Sequence, residues 1–275
     1  MTAGQDILIE AGHTERNYWR DLFRYRELFY FLAWRDILVR YKQTVIGILW
    51  AVLRPFLTML VFVFIFSKIA KLPSEGVPYP LMVFAGMLPW QLFATSLSEG
   101  GNSLISNANL ISKVYFPRLI VPTSAVVVSF ADFLISAVLL GVLMIYYGVW
   151  PGWHLLALPV FTLLALGASI GPSLWLAALN VEYRDFRYAV PFLVQFSLYV
   201  SPVGFTSAIV PEKWRLLYSL NPMVGVIDGF RWSISGGRSA IFVPGLTIGC
   251  VVMSALLFSG IWYFRRTERT FADVI

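Results

Sequence analysis

The sequence predicts an all-α polytopic membrane protein with six transmembrane helices, and two observations support this fold class. Of the 275 residues, 58% are hydrophobic and only 13% are charged, whereas soluble domains contain about 25% charged residues. The hydrophobic residues are also gathered into successive runs, and a hydrocarbon core of about 30 Å needs roughly 20 of them in a helix. We expect a cytoplasmic tail and interfacial helix over 1–45, a six-span domain over 46–264 and a cytoplasmic tail over 265–275.

The segment before the first apolar run has the pattern of an amphipathic helix. Between residues 18 and 40, apolar side chains recur at helical spacing, at Leu22, Tyr25, Phe29 and Leu32, and charged residues occupy another side. Such a segment is too charged to span, so it is expected to lie at the headgroups with its apolar face in the membrane. It is either a simple anchor or a gate that guides a charged lipid headgroup.

The first two spans are predicted from Ile46 to about Ile69 and from about Leu81 to Ser98. Pro89 interrupts the second run, which predicts a kink there. The segment that follows starts polar and ends basic, and residues 102–113 have the pattern of a short amphipathic helix.

The third and fourth spans are predicted from Ile120 to Tyr147 and from Leu155 to Leu179. The third contains Asp132, and a carboxylate at membrane depth faces protein or water. It is an ion site or a structural hydrogen bond, and the sequence favours the second because no further buried acid suggests a relay. In the fourth span, Gly167 and Gly171 have the spacing that allows close helix packing.

The fifth run, from Ala189 to about Gly204, is short for a full crossing. Residues 205–238 are half apolar but carry scattered prolines and charges. Irregular backbone at membrane depth must be shielded by protein, so re-entrant short helices are predicted between spans five and six. The sixth span is predicted from Ile241 to Phe264.

Basic residues are concentrated in the segments that six spans place on one side of the membrane. These are 16–42, Lys113, Arg118, Arg184, Arg187 and 265–269, whereas the first two outer loops hold only Lys68 and Lys71. The positive-inside rule then places both termini in the cytoplasm. The same distribution argues against nucleic-acid binding, which requires basic residues on one face of a soluble domain.

Motifs for intrinsic catalysis are absent from the sequence. It contains no G-x-x-x-x-G-K-[ST] phosphate loop, no cysteine and histidine spacing typical of a metal site and no obvious acid and base pair. A chain of this kind would therefore take energy for uphill transport from a partner or an ion gradient.

Four segments together resemble the ABC-2-type permeases, and more narrowly the permease subunits that export O-antigen, capsular or teichoic acid polymers. They are YKQTVIGILWAVLRP (41–55), KVYFPRLIVP (113–122), NVEYRDFRY (180–188) and SLNPMVGVIDGFRW (219–232). They occur in the family's order and at its spacing. The resemblance implies a homodimer in the cytoplasmic (inner) membrane, with two soluble ABC ATPase subunits that carry the ATP and magnesium and a lipid-linked polysaccharide substrate.

The resemblance also implies roles for particular residues. Two segments between spans would contact the ATPase, unless they are only solvated turns: Ser106, Asn107, Leu110 and Lys113 in the first, and Glu182, Tyr183, Arg184 and Asp185 in the second. The first and fifth spans would line the polymer pathway at the dimer seam, although any of these aromatic residues could instead face lipid or core: Trp50, Phe56, Phe62, Phe192, Phe196 and Tyr199.

Sugar rings stack on aromatic rings that make few directional bonds, so an aromatic wall suits a sliding polymer. Five basic residues would hold the phosphates of the lipid carrier by charge-assisted bonds, or would serve only as topology signals: Arg24, Arg26, Arg40, Lys42 and Arg54.

Two other functions remain open from the sequence. The same fold could serve a permease for a small amphiphile or drug. An integral membrane enzyme acting on lipid-linked sugars would instead bring carboxylates or histidines together at one membrane face.

Overall fold

The computed structural model describes residues 18–42, 45–74, 76–183 and 185–271. Within these ranges every regular element is helical, which confirms the predicted all-α class. In chain order the α-helices are α1 (Tyr18–Arg24), α2 (Arg26–Tyr41), α3 (Val45–Phe62), α4 (Tyr79–Ser106), α5 (Ala108–Ile111), α6 (Ile120–Tyr146), α7 (Leu158–Glu182), α8 (Phe186–Val200), α9 (Glu212–Tyr218), α10 (Pro222–Ser235) and α11 (Val243–Thr267). A π-helical turn, Val63–Ile69, continues α3, and a 3-10 turn, Gly152–Ala157, precedes α7.

Five of the described helical segments are long and apolar enough to cross a membrane. They contain α3 with its π turn, α4, α6, α7 and α11. The fifth predicted run forms α8, whose 15 residues extend for only about 22 Å. The run is short for a full crossing, as predicted, and its helix begins three residues earlier and ends four residues earlier than expected.

Helix α4 is the centre of the bundle. Every residue from Leu81 to Trp90 is buried, and the helix packs against α6, α7 and α10. It continues through Pro89 and through Gly100–Gly101, so the predicted helix over 102–113 is instead the end of α4 followed by the single turn α5. The two glycines do not end α4 because they pack against α7: a Cβ on Gly100 would lie 2.9 Å from Cβ of Ser173.

Helices α4 and α7 run parallel. The hydroxyl of Ser173 donates to the carbonyl of Ser96 over 2.9 Å, and the amide of Asn180 donates to the carbonyl of Gly101 over 2.7 Å. The carboxyl ends of α4 and α7 therefore lie together. The start of α6 and the end of α11 share this end, since Arg118 donates to the carbonyl of Glu268, and we call it the basic end.

Helix α2 packs along α6, with Leu32 and Ala33 buried. Leu22, Tyr25 and Phe29, which share the predicted apolar stripe with Leu32, pack against a hydrophobic cluster of the same chain. The amphipathic pattern is confirmed, but this stripe contacts protein where insertion into lipid was expected.

Gly171 of α7 makes the close helix contact that the spacing of Gly167 and Gly171 predicts, whereas a Cβ on Gly167 would meet only the side chain of Met253, at 3.0 Å. A Cβ on Gly171 would lie 2.5 Å from the carbonyl oxygen of Leu256 in α11, and one on Gly260 would lie 2.4 Å from the carbonyl oxygen of Gly171. Trp175, one turn further along α7, stacks on Tyr263 with ring centroids 4.3 Å apart. Helices α7 and α11 therefore meet backbone to backbone.

Residues 201–235 form short helices and irregular backbone at the opposite end of the bundle, which we call the far end. Helix α10 begins where the side chain of Asn221 accepts from the amide of Met223 and Pro222 occupies the first turn. It ends at Gly236, whose φ of +67° favours glycine. The helix is buried along most of its length, as expected of a segment shielded by protein.

Candidate functional site

The two candidate coupling segments lie at the basic end and expose most of their residues. Exposed side chains are those of Ser106, Lys113, Glu182, Tyr183 and Asp185, while Asn107 and Leu110 are half-buried. Arg184, the remaining predicted residue, lies outside the described residues. Exposure at the ends of two adjacent helices makes this face accessible to a partner protein.

The two coupling segments are held to one another by residues that sequence reasoning missed. Asn180 is buried and joins the end of α7 to the carbonyl of Gly101, one turn before the end of α4. Leu176 fills the space opposite Gly101, where a Cβ would lie 3.2 Å from the Cβ of Leu176. The run of small residues over 100–103 is the sequence signal that could have revealed this contact. The segments therefore belong to one packed unit.

Both coupling segments also contact neighbouring helices. Arg35 of α2 donates to the side-chain oxygen of Asn107 over 2.9 Å. The hydroxyl of Tyr263 in α11 donates to the carboxylate of Glu182 over 3.2 Å. Side chains of α2 and α11 are thus linked to the ends of α4 and α7 at the basic end.

Arg40 joins the carboxylates of two different helices. Its guanidinium contacts Asp132 of α6 and Glu99 of α4, each over 2.6 Å. Tyr41 donates its hydroxyl to Asp132, and burial raises the pKa of Tyr41, with the hydrogen bond and charge of Asp132 raising it further. The phenol therefore keeps its proton and acts as a donor.

Glu99 and Asp132 lie close together because both form an ion pair with Arg40. Asp132 has the structural hydrogen bond that the sequence favoured. Among the described residues, no group of three histidine, cysteine or acidic side chains is placed to hold a metal ion. Of the other predicted carrier residues, Arg24, Arg26, Lys42 and Arg54 have exposed side chains and are not joined to this cluster.

Replacement of Arg40 by glutamine should lower the free energy of unfolding by roughly 1–2 kcal/mol, because two carboxylates lose one shared partner. The expected loss of stability is small because the Arg40 side chain is 32% exposed and solvent screens its ion pairs. The measurement is thermal unfolding of the purified protein in detergent.

The matched control is Arg24→Gln, which removes the same charge from an exposed position of the amphipathic segment. An Arg40→Gln protein as stable as this control would contradict a structural role. If Arg40→Gln impairs transport but leaves stability unchanged, the result would instead favour a role for Arg40 in a gate that guides a charged lipid headgroup.

The structure divides the predicted aromatic pathway residues into two groups. Trp50, Phe192, Phe196 and Tyr199 are exposed on the single chain, with Phe192 exposed to 69%. Phe192 and Phe196 stack with centroids 6.4 Å apart. Phe56 and Phe62 instead pack against the central hydrophobic cluster, where their side chains are partly buried.

At the far end, Arg231 binds three backbone carbonyls. It is 3% exposed and donates to the oxygens of Met82, Val203 and Phe205 over 3.2, 2.8 and 2.7 Å. The hydroxyl of Tyr79 donates to Gly204 O over 2.7 Å. These bonds satisfy the carbonyls of the irregular segment after α8, which would otherwise be buried and unpaired.

Asp228, one turn before Arg231 on α10, is also buried. It accepts from the hydroxyl of Ser207 over 2.5 Å. Burial raises the pKa of Tyr218, and the charge of Asp228 raises it further. Sequence reasoning noted these residues only as scattered charges, since their contacts depend on the tertiary fold.

Comparison with known proteins identifies similar chains along almost the whole sequence. Residues 27–235 match the ABC-2 type transporter family. The chain is 33% identical to the O-antigen export system permease protein RfbA of Myxococcus xanthus over 259 residues, which is 93% of this chain and 98% of that protein. It is 29% identical to an O-antigen export system permease protein RfbA of Klebsiella pneumoniae, covering 88% and 92% of the two chains. It is 22% identical to the polysialic acid transport protein KpsM of Escherichia coli, covering 85% and 91%.

Proposed function

Because the chain belongs to the ABC-2 type transporter family, we propose that it is the transmembrane subunit of an ATP-driven exporter of a lipid-linked polysaccharide. The observation that carries this proposal is the similarity to the Myxococcus O-antigen permease, which covers 98% of that protein. The chain is a multi-pass transporter subunit and not an enzyme, and its polymer belongs to the O-antigen, capsular or teichoic acid class.

The motive force comes from ATP hydrolysis on a separate pair of soluble subunits. In support, the 275 residues contain no phosphate-binding loop. The exposed residues of the coupling segments offer a docking face, and Asn180 joins the helices behind them. ATP and magnesium bind to the partner and not to this chain.

Two copies of the chain form the polymer pathway in the inner membrane, with their termini in the cytoplasm. Four predicted pathway aromatics, Trp50, Phe192, Phe196 and Tyr199, are exposed on the single chain and are therefore accessible to a second copy and to sugar rings. The basic residues gathered at one end of the bundle support the orientation.

Charge reversal at Asp185 tests the coupling face. Asp185→Lys should reduce the amount of ATPase that co-purifies with the protein, and the polysaccharide exported, by at least about tenfold, because mismatched charges at an interface cost several kcal/mol. The helix itself should be unaffected, since the Asp185 side chain forms no capping hydrogen bond with α8. Co-purification in mild detergent and surface polysaccharide in cells that carry the variant are the measurements.

Glu212→Lys is the control, since it makes the same charge change at an exposed residue of α9 in the far-end region. If Asp185→Lys and Glu212→Lys export equally well, α7 and α8 are joined by a simple surface turn. Export by this chain without any ATPase would reject the proposed function itself.

A further inference from the structure

A cleft of about 810 Å³ opens at the basic end, and its lining includes none of the predicted coupling residues and none of the exposed pathway aromatics. It lies between α1, the loop that leads into α6, and the last turns of α11. Four arginines and two carboxylates line it: Arg118, Arg265, Arg266, Arg269, Asp21 and Glu268. The lining is therefore basic in balance.

Aromatic rings hold two of the arginines in place. The guanidinium of Arg265 lies 4.6 Å from the ring centroid of Tyr18, and that of Arg266 lies 5.6 Å from the ring of Trp262. A guanidinium stacked in this way keeps the N–H groups of its edge available for a planar or tetrahedral anion. Tyr18 is itself fixed, because its hydroxyl donates to Glu268 over 2.9 Å.

Arg265 and Arg266 have unused binding capacity. Within the described ranges, neither Arg265 nor Arg266 forms an ion pair with a carboxylate. The Nε atom of Arg265 is buried and has no hydrogen-bond partner there. A buried donor without a partner costs free energy, and the same side chain lines the cleft.

Helix lengths place the cleft at the depth of lipid headgroups. From Tyr79 to Glu99, α4 extends for about 30 Å, which is the thickness of a hydrocarbon core. Ser96 lies level with Ser173, and Tyr263 stacks on Trp175, two residues further on. Tyr263 is therefore close to the level of Glu99, and the arginines that follow it lie just outside the hydrocarbon.

The wall of the cleft towards the membrane is apolar. Phe258 and Trp262 of α11 line it and are 71% and 60% exposed. They lie on the spanning part of the helix, below the arginines, so an acyl chain can follow them while a charged group remains above.

We propose that this cleft binds the phosphate headgroup of an anionic membrane lipid, with an acyl chain along Phe258 and Trp262. The arginines supply charge complementarity, and the neighbouring apolar wall selects a lipid over a free anion. The inference does not depend on which substrate the transporter carries.

The test uses the full chain, purified in detergent and depleted of lipid. Phosphatidylglycerol, phosphatidylcholine and inorganic phosphate are added separately, and thermal stability and lipid retention by native mass spectrometry are measured. Phosphatidylglycerol should stabilise the protein most. In Arg265→Gln/Arg266→Gln, its half-saturating concentration should rise at least about tenfold, because charge-assisted hydrogen bonds are lost.

The control is Arg187→Gln/Arg238→Gln, which removes two exposed arginines outside the cleft that have no predicted lipid-binding role and should bind phosphatidylglycerol like the unmodified chain. Since loss of Arg265 also removes its stack on Tyr18, Arg266→Gln alone is tested as a milder variant and should weaken binding several-fold.

Four outcomes would overturn the proposal. Equal weakening in the two double variants would show general surface charge. Equal stabilisation by inorganic phosphate would show a free-anion site, and equal stabilisation by phosphatidylcholine would show that the headgroup charge is irrelevant. A changed oligomeric state with unchanged lipid binding would show that the cleft meets a second copy of the chain.

Discussion

Replacement of Arg231 by methionine is expected to lower the free energy of unfolding by about 3–5 kcal/mol, the cost of removing one partner from a buried charged network. Three carbonyls, those of Met82, Val203 and Phe205, lose their shared donor. Methionine fills much of the volume but donates no hydrogen bond. Folded protein in the membrane and thermal stability in detergent should both fall sharply.

Arg231→Lys should recover only part of this loss, since an ammonium group lacks the planar fork that reaches all three oxygens. The matched control is Arg238→Met, the same change at an exposed residue seven positions later. Gly86→Ala tests the same hydrogen bonds without changing Arg231. The added Cβ would lie 2.7 Å from Nη2 of Arg231 and displace the guanidinium, so this variant should also lower the unfolding temperature. If Arg231→Met unfolds at the same temperature as Arg238→Met, the three hydrogen bonds contribute little to stability.

Replacement of Gly171 by alanine should destabilise the protein by roughly 2–4 kcal/mol, since overpacking against a rigid neighbour forces helices apart. The added Cβ would lie 2.5 Å from a backbone carbonyl oxygen of α11, which cannot move alone. Separation of α7 from α11 would also weaken the hydrogen bond from Trp175 to Ser259. Thermal unfolding in detergent, with membrane yield as a second readout, measures the effect.

Two other glycines complete a graded series. Gly141→Ala should be neutral, because no atom outside its own helix lies within 4 Å of the added Cβ, and alanine favours helix. Gly167→Ala should cost less than about 1 kcal/mol, because its nearest neighbour is the flexible Met253 side chain. Equal stability of all three variants would mean that close approach at Gly171 is not required.

The sequence was sufficient to predict features that depend on local pattern. Long apolar runs predicted the helices that are long enough to span a membrane, and the short run before residue 205 predicted the short helix α8. The spacing of Gly167 and Gly171 predicted a close contact that the structure confirms at α11. Such features follow from periodicity and length, which one segment carries by itself.

Contacts between distant segments could not be predicted in the same way. Arg40 and Asp132 are 92 residues apart, and neither carries a motif that names the other. Three hydrogen bonds of Arg231 go to backbone carbonyls, which have no sequence signature. The helix over 102–113 was misplaced because the sequence turns polar after the second apolar run, whereas packing of Gly100 and Gly101 against α7 keeps this segment in α4.

The length of α4 has a mechanical consequence. Its 28 residues form a rod of about 42 Å. Asn107, the residue after its carboxyl end, accepts a hydrogen bond from Arg35. Tyr79, at its amino end, donates a hydrogen bond to the carbonyl of Gly204. Both contacts belong to one continuous helix, so a movement of Asn107 would be carried along α4 to the carbonyl of Gly204. A single helix, α4, therefore extends from the coupling segments to the far end of the bundle.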